Sequence, residues 1–238
     1  MANSQNMKNK KADTLDAALD RVTDGSTILV AGFGFGGVPE VLLEGLCGRG
    51  LRGLTLVNNN AGNERIGVAR LIEEGCVAKV ICTFSTAKTS FIFTDLHDAG
   101  KIELEIVPQG TLAERLRAAG AGLGGFLTPT GLGTDLAKGK PVMEIDGREY
   151  VVERPLRADF ALIKAKQVDP RGNLTYRMAA RNFNPVMAMA ADCTIVEATT
   201  EVPLGAIDPD TVVTPGVFVD CYYIAGPYTP GTIGTPAS

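Results

Sequence analysis

The sequence has no tryptophan and a single histidine, His97, among 238 residues. One imidazole cannot build a multi-histidine metal site, so no metal is expected. His97 has charged neighbours in a helix-like segment and reads as a surface residue rather than a base. The five cysteines, Cys47, Cys76, Cys82, Cys193 and Cys221, include no C-x-x-C pair. No zinc motif or Cys–His protease motif accompanies them. Most lie in or beside apolar runs, which suits small buried hydrophobes in a reducing cytoplasm. No apolar stretch approaches the roughly 18 residues of a membrane span. The opening "MANSQNMKNKK" lacks the apolar core of a secretory signal. Runs of Lys and Arg are missing too. With 23 basic against 27 acidic residues the formal charge is −4. A nucleic-acid partner needs clustered cations and is not expected, nor is a membrane-surface patch.

What is present is a globular composition, 45% hydrophobic and 21% charged, rich in glycine at 28 residues. Strand-like and helix-like stretches alternate through the first half. Helical spacing covers 13–22, 39–50, 64–75, 88–100 and 111–122. Short apolar runs at 26–31, 54–57 and 78–84 read as strands, and 102–107 alternates like a half-exposed strand. Pro39 suits a first helical turn, and Gly75 suits a helix end. Such repeats with short loops predict an α/β fold, an open, mostly parallel sheet flanked by helices. The pattern changes after Gly122. Asp146-Gly147 between two strand-like runs (142–153) predicts a hairpin. Further strands are expected at 158–165 and 193–198, with a short helix over 181–191. The second half is therefore expected to add antiparallel or mixed strands to the sheet. The expected organisation is a flexible leader at 1–12, one domain over 13–225 and a flexible, Gly/Pro/Thr-rich tail at 226–238.

One stretch raises a functional question. Gly32, Gly34 and Gly37 in "GFGFGG" fit G-x-G-x-x-G, and a strand precedes them while a helix follows. Two requirements of a dinucleotide site fail. The acid that should end the next strand is replaced by Asn58, Asn59 and Asn60. The helix that should offer free N–H groups to a pyrophosphate starts late, behind Pro39, which has none. The glycines still permit close approach of main chain to a ligand at the C-terminal end of a parallel strand. Phe33 and Phe35 between them are either core plugs or flat surfaces against a ligand. A tight turn with no ligand is the plainer alternative.

"DGSTILVAGFGFGGVPEVLLEGL" followed by "LTLVNNNAGN" resembles the A (alpha) component of the 3-oxoacid coenzyme A transferases. So, in order, do "IELEIVPQGTLAERLRAAGAG", "TPTGLGT", "DFALIKA" and "GNLTYRMAARNFNPVMAMAA". The resemblance spans roughly residues 13–223 and looks most like the 3-oxoadipate branch. It implies transfer of CoA from succinyl-CoA to a 3-oxo acid, with CoA esters as substrates and no permanently bound cofactor. The alternatives are acetoacetate as acceptor and a non-catalytic acyl-CoA-binding protein. The family's nucleophilic glutamate lies on a B subunit, in a Ser-Glu-Asn-Gly-type motif that this sequence lacks. Glu40, Glu44, Glu64, Glu73 and Glu74 read as surface carboxylates. A B-subunit partner and an α2β2 assembly are therefore implied. The resemblance also places an oxyanion donor on Asn59 and an active-site role on Gln109. It makes Ala31, Gly32, Phe33, Gly34, Phe35, Gly36 and Gly37 the CoA-contacting loop. Ala31 stands where the family has glycine, and Asn58 where it has serine. For the asparagines the bland alternative is an Asx turn leaving the strand. Arg177 and Arg181 are candidate partners for an anion or for the B subunit, with a structural ion pair as the equal alternative.

Overall fold

The computed structural model describes residues 9–225. The expected tail, 226–238, and residues 1–8 of the expected leader lie outside them. Residues 9–12 run beside the last strand. Ala12 N donates to Tyr222 O at 2.8 Å, and Tyr222 N donates to Lys10 O at 2.9 Å.

The chain alternates as its pattern predicts: α1 (Leu15–Leu19), β1 (Thr27–Val30), α2 (Glu40–Leu46), β2 (Leu54–Val57), α3 (Val68–Glu73), β3 (Val77–Cys82), α4 (Phe91–Asp98), β4 (Glu103–Ile106) and α5 (Gln109–Gly120). Then come β5 (Phe126–Thr128), β6 (Val142–Ile145), β7 (Arg148–Glu153), β8 (Ala158–Val168), β9 (Leu174–Thr175), α6 (Asn184–Ala190), β10 (Ala191–Glu201) and β11 (Cys221–Ile224). The main sheet runs β11-β10-β8-β1-β2-β3-β4, parallel throughout, and the two-residue β9 adds antiparallel to β8.

Side chains alternate across this sheet, so each strand feeds two cores. Ile28, Val30, Leu54 and Leu56 pack under α1–α4, with Leu19, Leu42, Leu46, Leu71 and Phe93. Leu29, Val57, Ile163 and Val196 pack under α5 and α6, with Leu112, Leu116 and Met187. Burial on both faces explains why β1 and β2 are apolar without alternation.

The hairpin forms as the Asp-Gly pair predicts, with Ile145 opposite Arg148 and both turn residues at positive φ. It does not extend the main sheet. With β5 it makes a separate antiparallel sheet, β5-β7-β6. Glu153, buried at the end of β7, pairs with Lys140 at 2.5 Å. The second-half strands β8 and β10 instead enter the parallel sheet, each eleven residues long. No helix among the described residues is long and apolar enough to cross a membrane.

The strand order places the sheet's switch point between β1 and β8. From β1 the chain winds through β2, β3 and β4 to one side, while β8, β10 and β11 lie on the other. Open α/β sheets bind ligands in the crevice outside the strand ends at such a point.

Candidate active site

β1 leaves the sheet through Ala31 and Gly32, both buried. The next four residues close on themselves: Phe33 N donates to Gly36 O and Gly36 N to Phe33 O, each at 3.0 Å. Phe33 and Phe35 are 53% and 63% exposed. They are not core plugs but rings presented to solvent at the strand ends. Gly37 has φ +71, and a Cβ there would run into Ala180 O. This glycine is therefore required both by conformation and by close packing.

β2 leaves through the asparagines, and strand alternation separates their roles. Asn58 Nδ2 donates to Val30 O at 2.7 Å, tying this exit to the end of β1. Its Oδ1 accepts from Asn60 N at 3.0 Å, and Asn60 Oδ1 accepts from Gly62 N at 3.0 Å. Both are Asx turns. Asn59, also buried, is held differently. Its Oδ1 accepts from Gln109 Nε2 at 2.7 Å and from Thr83 Oγ1 at 3.2 Å. Its main-chain oxygen accepts from Thr83 N at 3.1 Å. With the oxygen doubly engaged, Nδ2 is left as an oriented donor with no acceptor among the described residues. Gln109 opens α5 behind Pro108 and is exposed. The structure thus joins Asn59 and Gln109, fifty residues apart in sequence. The end of β1 that leads into the glycine turn is tied to Asn58 rather than to Asn59.

Two carboxylates expected at the surface are not there. Glu44 is buried and paired with Arg70. Glu40 lines a cavity of about 20 Å³ between the two exits, with Phe35, Asn58, Asn60 and Asn63, and its Oε2 is buried without a hydrogen-bond partner. Burial, then the charge of Glu197, pushes the Glu40 carboxyl up to about 7, against a smaller opposing pull from Lys164. Glu64, Glu73 and Glu74 are exposed as expected.

Glu197, on β10, had no sequence signal. It lies in a stretch of β10 buried on both faces, 193–198, where an acid looks misplaced. Its Oε2 accepts from Val41 N at 2.8 Å and Leu42 N at 3.3 Å, and its Oε1 meets Lys164 Nζ at 2.7 Å. The amides at the start of α2 are thus already satisfied by a carboxylate. A pyrophosphate would meet that negative charge instead of free N–H groups, which adds a tertiary reason against a dinucleotide.

The remaining candidates sort by burial. Burial pushes the Cys47 thiol up to about 12 and those of Cys82 and Cys193 to about 11, so they stay protonated and are poor nucleophiles. His97 is exposed and stacks on Phe93. Arg177 and Arg181 are exposed, on either side of the 81% exposed Met178, and neither forms an ion pair among the described residues.

The model of one protein family, described as Coenzyme A transferase, matches residues 12–221. The A component of a 3-oxoadipate CoA-transferase of Pseudomonas putida is 55% identical over 213 residues, covering 90% of this chain and 92% of the relative. The A component of a succinyl-CoA:3-ketoacid coenzyme A transferase of Helicobacter pylori is 43% identical over 215 residues, again covering 90% and 92%. Among solved structures, glutaconate coenzyme A-transferase from Acidaminococcus fermentans superposes with a TM-score of 0.81 at 22% identity, over 91% of this chain and 76% of that one. An Escherichia coli acyl-CoA transferase gives 0.78 at 22% identity, over 92% of this chain and 47% of that one. These two likenesses concern the fold alone.

Proposed function

Because the chain belongs to the coenzyme A transferase family, we propose that it is the A component of an enzyme that moves CoA from succinyl-CoA to 3-oxoadipate in the cytoplasm. The acceptor is supported by the 55% identity to the P. putida protein, above the 43% shared with the H. pylori 3-ketoacid enzyme. CoA esters are substrates in this reading.

The chemistry asks for a nucleophile and for a partner to the charge it creates. A carboxylate attacking a thioester carbonyl drives negative charge onto the carbonyl oxygen. A preorganised neutral donor at that oxygen lowers the barrier, typically by about 3–4 kcal/mol. Asn59 Nδ2 suits this role because Gln109 and Thr83 already hold its oxygen, so the amide need not reorganise during reaction. The glycine turn 31–37 supplies main chain and the Phe33 and Phe35 rings against the CoA ester.

The nucleophile is assigned to a glutamate of a B subunit. The carboxylates near the crevice are engaged or withdrawn: Glu197 caps α2, Glu44 pairs with Arg70, and the Oε2 of Glu40 is buried. In the ping-pong cycle the glutamate displaces CoA thiolate, giving an acyl anhydride. The thiolate then attacks the glutamyl carbonyl, releasing succinate and leaving glutamyl-CoA. The same two steps in reverse load the 3-oxo acid. The exposed Phe33, Phe35 and Phe84 at the strand ends suit coverage by that partner, in an α2β2 assembly.

The test is co-purification with a partner bearing a Ser-Glu-Asn-Gly motif, followed by assay of succinyl-CoA with 3-oxoadipate and with acetoacetate. Transfer to 3-oxoadipate by the complex, and none by this chain alone, is expected. Activity of the isolated chain overturns the two-component reading. Preference for acetoacetate overturns the acceptor.

A further inference from the structure

At the switch point β8 outruns β1. The last register pair is Val30 with Leu162, and Ala31 N still donates to Leu162 O at 3.0 Å. The next β8 amide on that edge, Lys164 N, has no β1 partner. It donates instead to Asn184 Oδ1 at 2.7 Å. Asn184 is fully buried at the start of α6. Its Nδ2 donates to Ala180 O at 2.9 Å and to Gly37 O at 3.2 Å. A single amide thus replaces the missing β1 partner of β8 and holds the carbonyl at the end of the glycine turn. Asn182 repeats the contact one residue earlier, donating from Nδ2 to Gly36 O at 2.9 Å. The bare α-carbon of Gly37 sits against Ala180 O in the same cluster.

We propose that Asn184, seconded by Asn182, is a positioning residue of the CoA-transfer site. Neither side chain is assigned to substrate. They act through Gly36 and Gly37, fixing the turn that carries Phe33 and Phe35. Asparagine suits the task because one planar amide offers an acceptor and two donors in fixed relation. Serine lacks the reach, and aspartate would lose the donors while burying a charge. The turn is read as contacting the ester rather than the reacting atoms, so its misplacement should weaken binding more than it slows the chemical step. The inference rests on the reading of the turn 31–37 as the CoA-ester contact.

The test uses Asn182→Ala, which at a half-buried site removes the Nδ2 bonds to Gly36 O and Ala179 O and the Oδ1 bonds from Phe183 N and Asn184 Nδ2, and Asn184→Ser, both assembled with the B subunit. The first readout is amide hydrogen exchange. Exchange of residues 33–38 should rise by about tenfold or more in each variant, while amides of β2 and β3 keep their protection. The second is kinetic: KM for succinyl-CoA should rise by about tenfold, with kcat lowered less than about threefold, as for lost binding rather than lost chemistry. Unchanged exchange in the turn, or a uniform rise across the sheet, overturns the positioning role. Raised exchange with unaltered KM overturns the turn's contact with the ester. If the wild-type complex transfers no CoA, the functional reading fails, and the exchange result still decides what Asn182 and Asn184 do.

Discussion

β1 and β2 are neighbouring strands of four residues each, and each leaves the sheet toward a four-residue turn bridged between its ends, Phe33 with Gly36 and Asn63 with Ile66. The chemistry of the two exits is opposite. The β1 exit dispenses with side chains: its carbonyls are held by Asn182 and Asn184, and Gly37 lies against the main chain of Ala180. The β2 exit is built from side chains, with amides tying it to Val30, to its own backbone and to Gln109. A glycine exit fails by steric exclusion when altered. An asparagine exit fails by losing particular hydrogen bonds, so its structural and chemical contributions are separable. Substitutions on either side test the contrast, starting where the response should be greatest.

Asn59→Ala should lower kcat of the assembled enzyme by about a hundredfold or more, as when an oxyanion donor is removed. Its thermal midpoint should stay close to wild type. Steady-state kinetics beside a melting curve checks this, and an intact complex with unchanged kcat would remove Asn59 from the chemistry. Gly37→Ala should instead act on folding. Left-handed strain of about 1–2 kcal/mol adds to overpacking against Ala180 of about 1–3 kcal/mol. Urea denaturation should show the midpoint falling while the slope is preserved. Asn58→Ala leaves the buried Val30 carbonyl without its amide donor and should cost about 2 kcal/mol of stability. If Asn58→Ala cost activity but no stability, Asn58 would lose its place on the structural side of the comparison.

Glu40, between the two exits, gives the smallest effect and the one that depends on pH. Its carboxyl titrates near 7 in the fold against an ordinary 4.5. Between those values the native state keeps a proton that the unfolded chain releases. Its contribution to stability therefore falls as pH rises through that window and is level above it. Allowing for partial exposure, the loss is about 1–2 kcal/mol. Glu40→Gln, which cannot ionise, should be the more stable protein near pH 8 and should lose that part of the slope. Melting temperatures at about pH 5 and about pH 8 check it. An unchanged slope would mean that Glu40 is not the titrating group.

The asparagines and the carboxylates show how far the chain can be read unaided. The resemblance singles out Asn59 and Gln109, and each follows a strand whose sequence pattern is recognisable. Their mutual bond at 2.7 Å is not, since it spans two intervening strand–helix units. Glu197 gives no signal, because its partners are the α2 amides and Lys164, brought to it only by the sheet. Glu40 and Glu44 mislead for a related reason. Helical spacing says which face a residue occupies, not whether another helix covers that face, and Glu44 is covered by α3 through Arg70.

The alternation of strands and helices, the parallel sheet, the Asp-Gly hairpin and the family are all written in the chain itself. They follow from local periodicity, turn chemistry and ordered motifs, which are properties of neighbours along the sequence. Where the second half goes is settled in three dimensions. β8 and β10 carry apolar runs like that of β1, and nothing local says that they extend the parallel sheet while the hairpin leaves it. That placement puts the switch point at β1 and β8, leaves the Lys164 amide without a β1 partner and brings Asn184 to replace it. The reason is physical: an unpaired backbone amide at a strand edge must be satisfied, and which group satisfies it depends on which strands become neighbours.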